Sequence, residues 1–145
     1  MENFYGTINA PLKTKAEFVS TEDFRVYTGI DLSEELNDSR DAELFLRDRE
    51  DELINYANMQ SWRPITRYVY EHCYSPEQMT ALREAILLQA KYVFENGDVL
   101  ANNGIDPENG VKFGKYERES ASISPKAINL LKVTGILSLV MRTTF

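Results

Sequence analysis

The run Ser75–Gly97, SPEQMTALREAILLQAKYVFENG, constrains the fold more than any other stretch, because its start, interior and end agree. Ser75 offers a hydroxyl to the orphan N–H groups of a first turn, Pro76 suits the first helical position, and Gln78 completes a capping box. Met79, Leu82, Ile86, Gln89, Ala90 and Val93 recur on one face at helical spacing. Gly97 supplies a left-handed stop. Such a rod spans about 30 Å at its regular rise, the width of a small domain, and the rest of the chain must pack around it.

The segments on either side read as shorter helices. Val19–Gly29 carries Ser20 as its cap, Asp23 at the third helical position, a Val19–Phe24 staple, and Phe24 and Tyr27 on one side. Gly29 ends it, Ile30 folds back on the last turn, and 31–39 is a polar connection. A second helix opens at Asp38 or Ser39 and runs to about Asn58, with Ala42, Phe45, Leu46, Leu53, Tyr56 and Ala57 as its apolar stripe. Arg49 interrupts that stripe and must snorkel or meet a carboxylate. After the breaker Pro64, the alternation of Tyr68, Tyr70 and His72 is that of a short strand or of an irregular aromatic connection over the core. Residues 98–123 are polar and rich in turn sequences, and Asn109-Gly110 can head a small hairpin with Val111 and Phe113. Ser124–Gly135 repeats the grammar of the central helix, with Ala127, Leu130, Leu131 and Thr134 inward and Ile136 and Leu137 against the last turn.

The fold class is therefore mainly α: a small bundle of about four helices, with a long projecting loop or β-hairpin before the last. An N-terminal arm covers 1–18, a helical domain 19–138 with its projection at 98–123, and a C-terminal tail 139–145. The arm, with Pro11 and the following Lys-Thr-Lys, reads as extended and frayed.

Charge limits the partners. The net charge is −7, which disfavours a protein that coats nucleic acid. It is also uneven: 13 acidic and 4 basic residues lie between Glu17 and Gln60, against 2 acidic and 6 basic between Val111 and Phe145. Either these are solvated faces, or the two ends meet in neighbouring copies. No apolar run reaches the length needed to cross a bilayer, and the N-terminus lacks the order of a secretory signal. The single cysteine, Cys73, excludes an intramolecular disulfide and suits a reducing compartment.

Catalytic and metal chemistry find little footing. His72 and Cys73 are the only residues of their kinds, and as sequence neighbours they point apart, with Cys73 expected in the core. Zinc needs more soft ligands than these two. An EF-hand laid from Asp98 fails, with Asn103 where the glycine belongs and Asn109 where the glutamate belongs. The acidic face Asp41, Glu43, Asp48, Asp51 and Glu52 reads as a solvated helix surface. No catalytic, cofactor or metal residue is assigned, and the expectation is a protein that is not an enzyme.

The order of parts resembles the head–tail connector proteins of tailed bacteriophages, the head-completion or portal-adaptor family. The resemblance rests on STEDFRVYTG with its acidic connection, DAELFLRDREDELINYA, SPEQMTALREAI, and above all SISPKAINLLKVTGIL after the glycine-containing projection. It implies a non-catalytic virion protein of the neck, present in the host cytoplasm before assembly, without a cofactor or a membrane partner. Such a protein forms a ring of about twelve copies beneath the portal protein. The ring extends the DNA channel and offers a platform for a neck or tail-completion protein, while DNA passes without specific binding. The family's interfaces, carried onto this chain, imply partner contacts at Val111, Lys112, Phe113, Lys115, Tyr116 and Arg118 and in the tail that ends at Phe145. An acidic channel repels the DNA backbone, in keeping with passage. The alternative is a small acidic phage-encoded regulator that binds a host protein through the helix carrying Asp41 to Glu52.

Overall fold

The computed structural model describes residues 13–60, 63–101 and 123–137. These form six helices: α1 (Thr21–Thr28), α2 (Leu32–Glu35), α3 (Ser39–Gln60), α4 (Arg67–His72), α5 (Pro76–Ala101) and α6 (Pro125–Val133). No strand occurs among the described residues. The chain is a small, mainly helical bundle. Helix α5 is its axis, with α3, α6 and α1 laid against it.

Local chemistry sets most boundaries. At α1, Ser20 Oγ accepts from Asp23 N while Asp23 Oδ2 accepts from Ser20 N, and Gly29 closes the helix at φ 82°. The same reciprocal box opens α5: Ser75 Oγ accepts from Gln78 N at 3.2 Å, and Gln78 Oε1 accepts from Ser75 N at 3.0 Å. Ser124 caps α6, and Gly135 turns left-handed at φ 83° beyond its end. Leu137 N then donates to Leu131 O at 3.0 Å, which folds Ile136 and Leu137 back into the core.

The core is one cluster. Phe24, Leu32, Leu46, Leu53, Leu82, Ile86 and Leu131 are essentially inaccessible, and the alanines 42, 57, 85, 90 and 127 let the helix backbones approach. Phe18 and Ala16 join this cluster from the N-terminal side.

Several expectations are corrected. Gly97 does not stop α5; the helix continues to Ala101 through a kink at Asn96 (φ −117°, ψ 19°), whose side-chain Nδ2 donates to Tyr92 O at 2.9 Å. The side chain absorbs the local disruption, and the chain resumes helical form. Within 31–39 the chain makes the one-turn helix α2, because Asp31 accepts from Glu34 N and Leu32 buries completely. Tyr68, Tyr70 and His72 lie on helix α4, not a strand: Thr66 Oγ1 caps it by accepting from Val69 N at 3.1 Å. At that spacing Tyr68 and His72 stack, their ring centroids 4.5 Å apart. Tyr27 is exposed rather than paired inward with Phe24, and Cys73 is exposed rather than in the core.

The contrast between glycines is testable. Gly29→Ala forces a side chain into the left-handed region and should cost about 1 kcal/mol or more. Gly97→Ala replaces an unobstructed glycine inside a helix and should stabilise by about 0.5–1 kcal/mol. Urea unfolding followed by circular dichroism should give opposite signs; two losses would mean that Gly97 acts as a helix stop.

Candidate assembly interface

The six projection residues named from sequence, Val111, Lys112, Phe113, Lys115, Tyr116 and Arg118, lie outside the described residues, as does Phe145. What the structure shows is how residues 13–18 and the segment that opens at 123 are held to the bundle. Two polar constructions do this, and neither reads directly from a motif.

The first holds the N-terminal arm. Glu50 lies on α3 and is completely buried, an expensive position for a carboxylate unless it is fully engaged. It is engaged three ways: Oε1 accepts from Glu17 N at 2.8 Å and from Lys13 Nζ at 2.9 Å, and Oε2 accepts from Phe18 N at 2.8 Å. Lys13 Nζ also reaches Asp51 Oδ1 at 2.8 Å, and Arg47 Nη1 donates to Lys13 O at 2.7 Å. From the other side Arg67 of α4 donates to Glu17 Oε2 and to Glu17 O, both at 2.9 Å, and lies over the Phe18 ring at 4.8 Å. Residues 13–18 are thus strapped between α3 and α4, where the sequence suggested a frayed arm. Burial works against the Lys13 ammonium, yet its hydrogen bonds to Asp51 and Glu50 outweigh this and hold it above the ordinary 10.5.

The second construction fixes α6. Gln89, completely buried in the middle of α5, accepts from Ser124 N at 2.7 Å and donates from Nε2 to Glu52 Oε1 of α3 at 2.7 Å. Arg49 Nε lies 3.0 Å from the same carboxylate oxygen, off the hydrogen-bond axis, and the guanidinium covers the Phe45 ring at 5.0 Å. Arg49 therefore meets a carboxylate, as its place in an apolar stripe requires. Burial raises the Glu52 carboxyl above its usual 4.5, and the Gln89 hydrogen bond and the Arg49 charge pull it only part of the way back. At the far end Gln78 Nε2 donates to Thr134 O at 3.0 Å.

These pairings also use up much of the acidic face of α3. Asp48 pairs with Arg47, Asp51 with Lys13 and Glu52 with Arg49. Three of the five carboxylates of that face are thus matched by cations, while Asp41 stays exposed near the start of the helix. Among the described residues no group of three or more His, Cys, Asp or Glu side chains is placed to hold a metal ion. None of their helices is long and apolar enough to cross a membrane.

Glu50 is the residue that sequence reading passed over. Its only signal was a carboxylate on the buried side of α3, in phase with Leu46, Leu53 and Ala57.

Two outcomes follow. Glu50→Gln places an amide NH2 where an acceptor is needed and should destabilise by about 2 kcal/mol or more. Hydrogen exchange at the Glu17 and Phe18 amides should accelerate far more than at Ile86; equal protection would show that the arm is held without Glu50. For Glu52, the raised folded value means that the folded chain binds more protons above 4.5, so this group's contribution falls as pH rises through that window. The Glu52→Gln variant should therefore gain stability relative to wild type between about pH 4 and pH 7, read as melting temperature; a constant difference would refute the shift.

Comparison with protein-family models, with curated proteins and with solved structures gives no match to this chain.

Proposed function

We propose that this chain is a structural, non-catalytic assembly protein of the head–tail adaptor kind, forming a ring beneath a portal and joining a capsid to its neck or tail components. The observation that carries the reading is the last-helix signature together with its use. Ser124 caps α6, Ala127 and Leu131 are fully buried, Gly135 takes the left-handed turn, and Ile136 and Leu137 close onto the core. Of the pattern that resembles the connector family, Ala127, Leu131, Ile136 and Leu137 are thus core residues, and Ser124 and Gly135 set the two ends of the helix.

The way the termini of the bundle are treated supports the same reading. Gln89 holds the residue at which the chain returns after 102–122, and Glu50 holds the arm that leads in from 1–12. A body with firmly anchored exit points suits a subunit that offers its connecting segments to neighbours. The portal, a neck or tail-completion protein and further copies of the chain are the partners in this reading, and DNA passes without being gripped.

The test is to add the purified protein to portal-bearing, tailless capsids and to image the portal vertex by cryo-electron microscopy. A ring of added density with the symmetry of the portal is expected. A bare vertex at saturating protein would overturn the reading.

A further inference from the structure

Two large apolar side chains stand out of α1, Val26 at 71% exposure and Tyr27 at 43%, and one stands out of α6, Val133 at 70%. A single exposed valine needs no explanation. Here the surroundings of the two sites complement each other. Val26 and Tyr27 rim a groove of about 420 Å³ between α1 and α5, with Asp23, Arg83 and Glu84 on its walls and Leu87 at its side. Val133 lies on an open helix face instead, in line with the exposed Lys126 and Asn129 and flanked by the exposed Lys132.

The charges are opposed as well. Helix α1 and the first turns of α5 to Leu87 carry Glu22, Asp23, Glu77 and Glu84 against Arg25 and Arg83, while α6 carries Lys126 and Lys132 and no carboxylate. The two faces also look away from each other. Helix α6 is tied along the Gln78–Gln89 stripe of α5, whereas the groove follows Thr80, Arg83 and Leu87, about half a turn round that helix. One molecule cannot bring the two together, but two copies can.

We propose that the outer face of α6 in one copy seats in the α1–α5 groove of the next. Val133 enters beside Val26 and Tyr27, and the α6 lysines face Glu84, the groove carboxylate that Arg83, paired with Asp23, leaves unmatched. The contact is heterologous, joining unlike faces, so repetition gives a ring where the rotation closes and a filament where it does not. The inference rests on the assembly reading above and supplies the copy-to-copy contact which that reading needs.

The experiment is sedimentation velocity on the full chain at low ionic strength, with circular dichroism as the check on folding. Wild type is expected to self-associate, and more weakly as salt rises. Val26→Asp and Val133→Asp each alter an exposed position, and each should weaken association by about thirtyfold or more. Mixed together, the two variants should form a one-to-one pair that grows no further, because each retains the face the other has lost. Glu84→Lys and Lys132→Glu probe the contact by charge alone; each should weaken it, and both in one chain should restore it.

A wild type that stays monomeric to about 1 mM overturns the contact, as does assembly that survives both aspartate variants, or a mixture that forms no pair. The outcome separates from that of the capsid experiment. A bare vertex beside intact self-association removes the adaptor reading and leaves the contact. A filled vertex with both variants still assembling removes the contact and leaves the adaptor reading.

Discussion

The bundle depends on one buried amide. Gln89 sits where an apolar side chain would be expected, in the middle of α5, and it joins three helices through its two ends. Its oxygen takes the backbone N–H of Ser124, a buried donor at the first turn of α6. Its nitrogen serves the Glu52 carboxylate of α3, itself partly buried and close to Arg49. Leucine in its place would fill the space but strand that N–H and deprive that carboxylate of a donor, each a cost of about 1–3 kcal/mol. The polar string is tolerable because the members that the sequence brings inside meet partners there.

Glu50 applies the same logic at the other side of α3. A carboxylate with no exposure is stable there only while the arm supplies two backbone N–H groups and an ammonium. The dependence is mutual. Residues 13–18 have little periodic structure of their own, and they are held by Glu50 and Arg67 together with the burial of Ala16 and Phe18. Chain entropy lost in residues 13–18 is thus offset by contacts drawn from two separate helices.

What the sequence revealed and what it hid divide by range. The capping boxes of Ser20 and Ser75, the cap at Ser124 and the turns at Gly29 and Gly135 act within a few residues, and they are legible for that reason. Helix α4 was obscured because tyrosines at alternate positions suit a strand, while the Thr66 cap and the Tyr68–His72 spacing that decide for a helix are weak signals alone. Helix α2 is a single turn whose one decisive act is the burial of Leu32. Gly97 misled because the break falls one residue earlier, at Asn96, and a second helical stretch follows it instead of a left-handed turn. Glu50 and Gln89 were hardest to read, since their partners lie 32 to 37 residues away. The opposed charge of the two ends was legible, but the groove between α1 and α5 exists only once those helices are packed.

The ties at Gln78 and Gln89 have a mechanical side. They are three helical turns apart on one stripe of α5, about 16 Å, and their partners Thr134 and Ser124 span about 15 Å along α6 in the reverse direction. The pair works as two dowels in matching holes. A slide of α6 along α5 by one turn, about 5.4 Å, would break both at once, and there is no intermediate position where one is kept. Load applied at either end of α6 is therefore passed to α5 as to a single beam, and the helix pair moves as one piece or not at all.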